Sequence, residues 1–270
     1  RNALKGSCDV YFYDIARRVG IESIAEMARR FGLGVQHDVS MSAVRSGLIP
    51  TKDWKLAYRD QSWLIGDTLN AGIGQGFVLS SPLQLAVMTA RMAGNGTQVA
   101  PRLIREENGV ELIPEEAPSL SVAPQHLRAI RDAMFAVSNE RRGTAYKSRI
   151  AEAAHAIAGK TGTSQVRRIT AAERARGVFK NEDLPWERRD HALFVGFAPY
   201  DDPKYAISVI VEHGGGGSKA AAPIARDIMM RVLYQGEPPL TAYPANLRDD
   251  IEKQREERRN ATPPTEGERA

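Results

Sequence analysis

A chain of 270 residues with 42% hydrophobic and 26% charged residues lies in the ordinary globular range, enough to bury the core of one large domain followed by a tail. Its formal net charge of +4 comes from basic residues scattered among acidic ones, which argues against a nucleic-acid surface. A single cysteine, Cys8, excludes an internal disulfide framework and a four-cysteine zinc site, and no apolar run is long enough to span a bilayer.

Arg1 to Gly6 carry neither an initiating Met nor a signal-peptide pattern, so the chain is expected to be an excised or processed fragment. Residues 22–31 place Ile24, Met27, Ala28 and Phe31 on one helical stripe, extended backwards by Ile21, with Gly32 where a left-handed cap would sit. Ser81-Pro82-Leu83-Gln84 is a helix start: Ser81 can cap, Pro82 suits the first helical position and Gln84 can bond back. Leu85, Met88 and Met92 are expected to face inward until Gly94 and Gly96 stop that helix. Residues 99–123 carry Pro101, Pro114 and Pro118 and predict irregular chain with a short hairpin at Asn108-Gly109.

Leu127, Ile130, Met134 and Val137 step by three and four and predict a third amphipathic helix. Ala192–Ala198 and Ala206–Val211 are short and β-rich, and the turn cluster between them, Pro199 to Pro203, predicts an antiparallel pair. Pro223 opens a further helix through Ile224, Ile228 and Val232. Helices first, then strands and a closing helix, predict an α/β chain of the α+β type, a mixed sheet covered by helices, with no internal repeat. Residues 1–240 are expected to form the domain. Residues 246–270, lacking aromatics and rich in both signs of charge, are expected to be a disordered charged tail or to fray from a short helix.

Lys160, between Gly159 and Thr161-Gly162-Thr163, admits three readings. A phosphate-binding loop requires glycine where this chain has Ala154, and a helix after the lysine where this chain has Gly162, Thr163 and Val166; both requirements fail. Lys-Thr-Gly on a strand edge is instead a signature of serine acyl-transferases that bind penicillin. There the Lys160 charge and the Thr161 and Thr163 hydroxyls can hold a peptide carboxylate, Gly162 lets the substrate lie against the strand, and the Thr163 amide can donate to an oxyanion. Taken alone, the triplet also fits an exposed strand lysine beside a turn glycine.

Ser7-Cys8-Asp9 through Tyr13 opening a helix, Gly72-Ile73-Gly74-Gln75-Gly76 before the Ser81-Pro82 helix, Lys160-Thr161-Gly162-Thr163, and Asp190-His191 through Pro199 occur in one order. Together they resemble the class B penicillin-binding proteins of the elongation type (penicillin-binding protein 2) over residues 1 to about 235. The resemblance implies an antiparallel sheet flanked by helices, the transpeptidase fold shared with serine β-lactamases, with an N-terminal part missing here. It implies a D,D-transpeptidase that cross-links peptidoglycan stem peptides through an acyl-serine intermediate during cell elongation, binds β-lactams, and works beside a cell-wall glycosyltransferase at the periplasmic face of the inner membrane, where an absent N-terminal segment anchors it.

Carried over by position, Ser7 relays protons near the nucleophile, Asp9 positions the catalytic lysine and substrate, and Lys160, Thr161, Gly162 and Thr163 take the roles given above. Ser7 and Asp9 equally fit capping of the following helix. No serine in the chain is followed three residues later by lysine, so the Ser-x-x-Lys nucleophile and base are expected to lie upstream, and the fragment itself is expected not to acylate. No cofactor is required. Cys8 is read as a small buried thiol, with a zinc ligand completed by absent upstream residues as the alternative.

His37 and His126 are expected at the surface, and His155 without a partner. His191 follows the charged stretch Arg167 to Asp190, which the resemblance makes a variable connection over the cleft, and a structural role is expected for it. The Gly214–Gly217 run resembles the family's glycine-rich turn after its last strand. A β-lactamase or D,D-carboxypeptidase would use the same motifs, and a non-catalytic penicillin-binding sensor or scaffold is the reading from another class.

Overall fold

The structure, a computed structural model, describes residues 1–94, 96–114, 116–167, 170–177 and 179–260. The chain opens with helices α1 (Asn2–Lys5), α2 (Asp9–Val19), α3 (Ile21–Arg30), α4 (Lys52–Arg59), α5 (Ile65–Gly72) and α6 (Pro82–Ala93). Strands β1 (Glu106–Glu107) and β2 (Val110–Glu111) precede α7 (Pro124–Asn139), β3 (Ala158–Ser164) and α8 (Ala171–Arg176). Strands β4 (His191–Ala198) and β5 (Tyr205–Val211) and helices α9 (Ala221–Leu233) and α10 (Arg248–Asn260) complete it.

The predicted local signals act as physical chemistry requires. Ser81 Oγ accepts the Gln84 amide at 3.2 Å while Gln84 Oε1 accepts the Ser81 amide at 3.0 Å, which closes a capping box on α6. The other end of that Gln84 side chain donates to the carbonyls of Val35 and Ser46, both at 2.7 Å, so one residue starts a helix and ties down the loop before it. Asn108 and Gly109 both have positive φ, 53° and 81°, the conformation a two-residue hairpin demands between β1 and β2.

Strands β3, β4 and β5 form an antiparallel sheet in that order, with Lys160 opposite Val195 and Phe194 opposite Val209. On β4, Ala192, Phe194 and Ala198 turn to one core, shared with Ala221, Ala222, Ala225, Met229 and Met230 of α9. Phe197 turns to the other, shared with Ala93 of α6 and Met134 of α7. The sheet is thus covered by helices on both faces, and β3 lies at its edge.

The structure departs from the pattern-based reading where small residues win the closest contact. The buried face of α9 is built of alanines and methionines, while Ile224, Ile228 and Val232 point outward at 42%, 47% and 41% exposure. In α3 the fully buried positions are Ile21 and Ala25, and Met27 is exposed. His37 is buried rather than superficial, its Nε2 lying 2.9 Å from the Gly32 carbonyl.

Of the two expectations for 246–270, a disordered tail or a short fraying helix, the helix is what the first part forms. Residues Arg248–Asn260 are helical, because Ile251 is buried, Arg255 donates to the Pro238 carbonyl at 2.7 Å and pairs with Glu237 at 2.8 Å, and Arg248 Nε donates to the Tyr243 carbonyl at 3.0 Å. Composition alone did not decide between them because the aromatic partner, Tyr243, precedes the segment; the guanidiniums of Arg226 and Arg255 stand 5.0 and 5.5 Å from its ring. Residues 261–270 lie outside the described residues.

Candidate active site

Strand β3 supplies one wall. Among the described residues it pairs with β4 along one side only, and antiparallel alternation directs the backbone groups of Thr161 and Thr163 away from β4. Both outward carbonyls are occupied by side chains: Thr161 accepts from Lys160 Nζ at 2.7 Å, and Thr163 accepts from Gln75 Nε2 at 2.8 Å.

The glycines around this strand serve different ends. A Cβ on Gly159 would run into the Phe194 ring and the Val195 carbonyl, so that glycine is a packing requirement. Gly217, in the turn after β5, is packed so closely that a Cβ would strike the backbone of Leu193 and Gly162. Gly162 is otherwise: a Cβ there would meet Leu193 Cβ at 3.4 Å, an ordinary contact. The fold would accept a side chain at 162, so the bare strand there serves the groove it lines.

The facing wall is the junction of α1 and α2. Ser7 holds a left-handed backbone, φ 52°, and Asp9 opens α2, where its charge complements the helix N-terminus. The helix cap is Cys8, with no side-chain bond, so the capping alternative for Ser7 is not realised. Ser7 Oγ instead accepts from Lys160 Nζ at 2.8 Å across 153 residues of sequence. The structure thus brings Ser7, Asp9, Lys160, Thr161, Gly162 and Thr163 together around one cavity of about 580 Å³.

Burial draws the Lys160 ammonium below the ordinary lysine range, and the nearby Asp9 carboxylate opposes that shift. An ammonium has three donors. Two point at Ser7 Oγ and the Thr161 carbonyl, which leaves a third for an anionic ligand oxygen. Thr161 Oγ1 lies 2.8 Å from Thr144 Oγ1, so the hydroxyl beside the lysine is itself held in place. With the Thr163 N–H on the open strand edge, the groove offers a cation, oriented hydroxyls and a backbone donor at one place. This is the set that an acyl-transfer step at a carboxylate-ended peptide uses.

Tyr13, Asn70, Gln75, Thr144 and Ser218 also line the cavity and were not singled out by sequence reasoning. Gln75 was legible only as part of the Gly72 to Gly76 segment; Thr144 stands in no motif and no signal could have found it. Cys8 is exposed, not a buried thiol. Among the described residues no three His, Cys, Asp or Glu side chains cluster to hold a metal. His191 accepts the His213 amide on Nδ1 at 2.9 Å, which braces the end of β5 against the start of β4. His126 is exposed, and His155 lies against the Tyr234 ring with centroids 4.6 Å apart.

Residues 1–230 match the family described as the penicillin binding protein transpeptidase domain. The chain is 34% identical over 262 residues to the peptidoglycan D,D-transpeptidase MrdA of Haemophilus influenzae, covering 94% of this chain and 40% of that protein. Among solved structures it is similar to Pseudomonas aeruginosa PBP2 in complex with WCK 5153, at 35% identity and a TM-score of 0.74 over 90% of this chain and 48% of that one. It is also similar to Helicobacter pylori PBP2 in its complex with MreC, at 33% identity and a TM-score of 0.71 over 87% of this chain and 39% of that one. The chain thus spans about two fifths of the length of such relatives.

Proposed function

This chain belongs to the penicillin-binding protein transpeptidase family, and on that premise we propose that the intact protein is a peptidoglycan D,D-transpeptidase of the elongation type. The observation that carries the reading is the 2.8 Å contact of Lys160 Nζ with Ser7 Oγ, which joins two distant motifs in one groove.

In this reading a serine oxygen attacks the carbonyl carbon of the penultimate D-Ala of a stem peptide. The peptide C–N bond breaks, the terminal D-Ala leaves with the proton on its amine, and an acyl-serine ester remains. An amine of a second stem then attacks the ester carbonyl, forms the cross-link, and returns the proton to the serine. The 270 residues contain no Ser-x-x-Lys, so nucleophile and base are assigned to residues outside this sequence. The residues in hand bind and orient: Lys160 and the Thr161 and Thr163 hydroxyls hold the terminal carboxylate, Ser7 passes the proton, Asp9 keeps Lys160 charged, and the Thr163 amide faces the oxyanion.

The Helicobacter pylori relative in complex with MreC supports a partner of that kind for the intact protein. A cell-wall glycosyltransferase partner, β-lactam binding and a place at the periplasmic face of the inner membrane follow from the same reading. Among the described residues no helix is long and apolar enough to cross a membrane. The test is incubation of the intact protein with a stem pentapeptide ending in D-Ala-D-Ala. Release of D-Ala with formation of a cross-linked dimer is expected; D-Ala release without dimer indicates a carboxypeptidase, and no release refutes both.

A further inference from the structure

We propose that Gln75 is a placeholder that decides which ligands enter the groove: its side-chain amide fills the Thr163 carbonyl until an extended ligand brings an amide N–H of its own to that oxygen. The proposal rests on the acyl-peptide reading above and adds a specificity-determining residue to it.

An open strand edge binds extended chains by adding a strand, and the affinity comes from main-chain hydrogen bonds. On β3 the outward acceptors beside Gly162 are the carbonyls of Thr161 and Thr163. The first is held by the strand's own lysine at 2.7 Å. The second, on the far side of Gly162, is held at 2.8 Å by Gln75, a residue 88 positions away. A primary amide donating to that carbonyl is chemically the same contact a peptide N–H would make there. A ligand lying along the bare strand at Gly162 therefore meets Gln75 in its place.

The loop is built so that only the side chain has to move. Its backbone is pinned to the end of α5, the Gln75 amide donating to the Asn70 carbonyl at 2.9 Å and the Gly74 amide to the Ala71 carbonyl at 3.0 Å. A Cβ on Gly72 would strike Ala16 of α2, which fixes the loop's entry. Gly74 and Gly76 hold positive φ, 75° and 72°, on either side of Gln75, and a Cβ on Gly74 would meet nothing within 4 Å. A rotamer change of Gln75, with no loop rearrangement, would empty the acceptor. A ligand with an amide N–H at this point replaces the bond it displaces. A ligand without one leaves the Thr163 carbonyl unpaired and is disfavoured.

The test uses the intact protein and benzylpenicillin, which carries one acylamino N–H, and separates the binding constant K from the limiting acylation rate k2. Gln75→Met keeps the length and cannot donate; Gln75→Asn keeps the amide and cannot reach. Both variants are expected to lower K roughly two- to tenfold, the equilibrium weight of one neutral hydrogen bond, with k2 unchanged. A residue that merely props the strand would instead raise K or slow k2. K unmoved or raised in variants that remain folded overturns the proposal while the wild type is still labelled. A wild type that takes no label refutes the transpeptidase reading, and the proposal falls with it.

Discussion

Replacing Gly162 and Gly217 by alanine, one at a time, separates what the fold needs from what the groove needs. At 162 the added methyl makes one ordinary contact with Leu193 Cβ at 3.4 Å and φ is not in the left-handed region, so the protein has nothing to move. Gly→Ala at such a position stabilises by about 0.4–1 kcal/mol through the unfolded chain, roughly 1–4 °C in melting temperature for a domain of this size. At 217 the methyl meets the backbone of Leu193 and Gly162, which cannot swing aside as a side-chain tip would. Overpacking there should cost about 1–3 kcal/mol and lower the melting temperature by several degrees. Acylation should move the other way for the first variant: a methyl on the groove floor is expected to slow labelling by a fluorescent penicillin roughly 5- to 150-fold, the same 1–3 kcal/mol now charged to the ligand. Differential scanning fluorimetry and gel-based labelling of the intact protein read both quantities. A Gly162→Ala protein that unfolds like Gly217→Ala would show the glycine to be a folding requirement. One that is stable and labels at the wild-type rate would show that nothing lies against the strand at 162.

The lysine and the α4–α5 pair supply further expectations. Burial lowers the Lys160 pKa, so the protonated fraction falls as pH rises through a value below the ordinary lysine range; binding of a ligand carboxylate should weaken in that window, and Asp9→Asn, which removes the opposing charge, should move the alkaline limb lower still. A pH profile of acylation by benzylpenicillin measures both, and an alkaline limb unmoved in Asp9→Asn would contradict the coupling. Lys55 and Asp67 form a 2.6 Å pair with side chains only 4% and 16% exposed, and Asp67 also accepts the Leu64 amide at 2.8 Å. Asp67→Ala, which strands the buried ammonium, should cost about 3–5 kcal/mol in urea unfolding, against under 1 kcal/mol for breaking an exposed pair such as Arg105–Glu111.

Much of this was legible because the signals were local. The Ser81 box, the Asn108-Gly109 turn and the β4–β5 hairpin are each decided within a few residues, and each stands where its chemistry puts it. The faces of α3 and α9 were less legible, since alanine carries little hydrophobic weight in a pattern yet permits the closest approach to a sheet. Helix α10 was legible only as a short fraying helix beside the option of disorder, because Tyr243, Pro238 and Glu237, which hold it, lie outside the charged segment. In the groove, the residues carried by motif could be named in advance. Thr144 and the Gln75 bond could not, because a hydroxyl facing Thr161 and an amide facing a strand carbonyl are tertiary facts with no periodicity of their own.

The Lys160 ammonium is assigned as the grip for a ligand carboxylate in the groove it shares with Ser7. The most direct measurement is the second-order rate of labelling of the intact protein by a fluorescent penicillin in Lys160→Ala. Loss of one charge-assisted contact, about 1.5–3 kcal/mol, predicts a rate lower by at least roughly tenfold in protein whose melting temperature is little changed. Labelling at the wild-type rate would contradict the account.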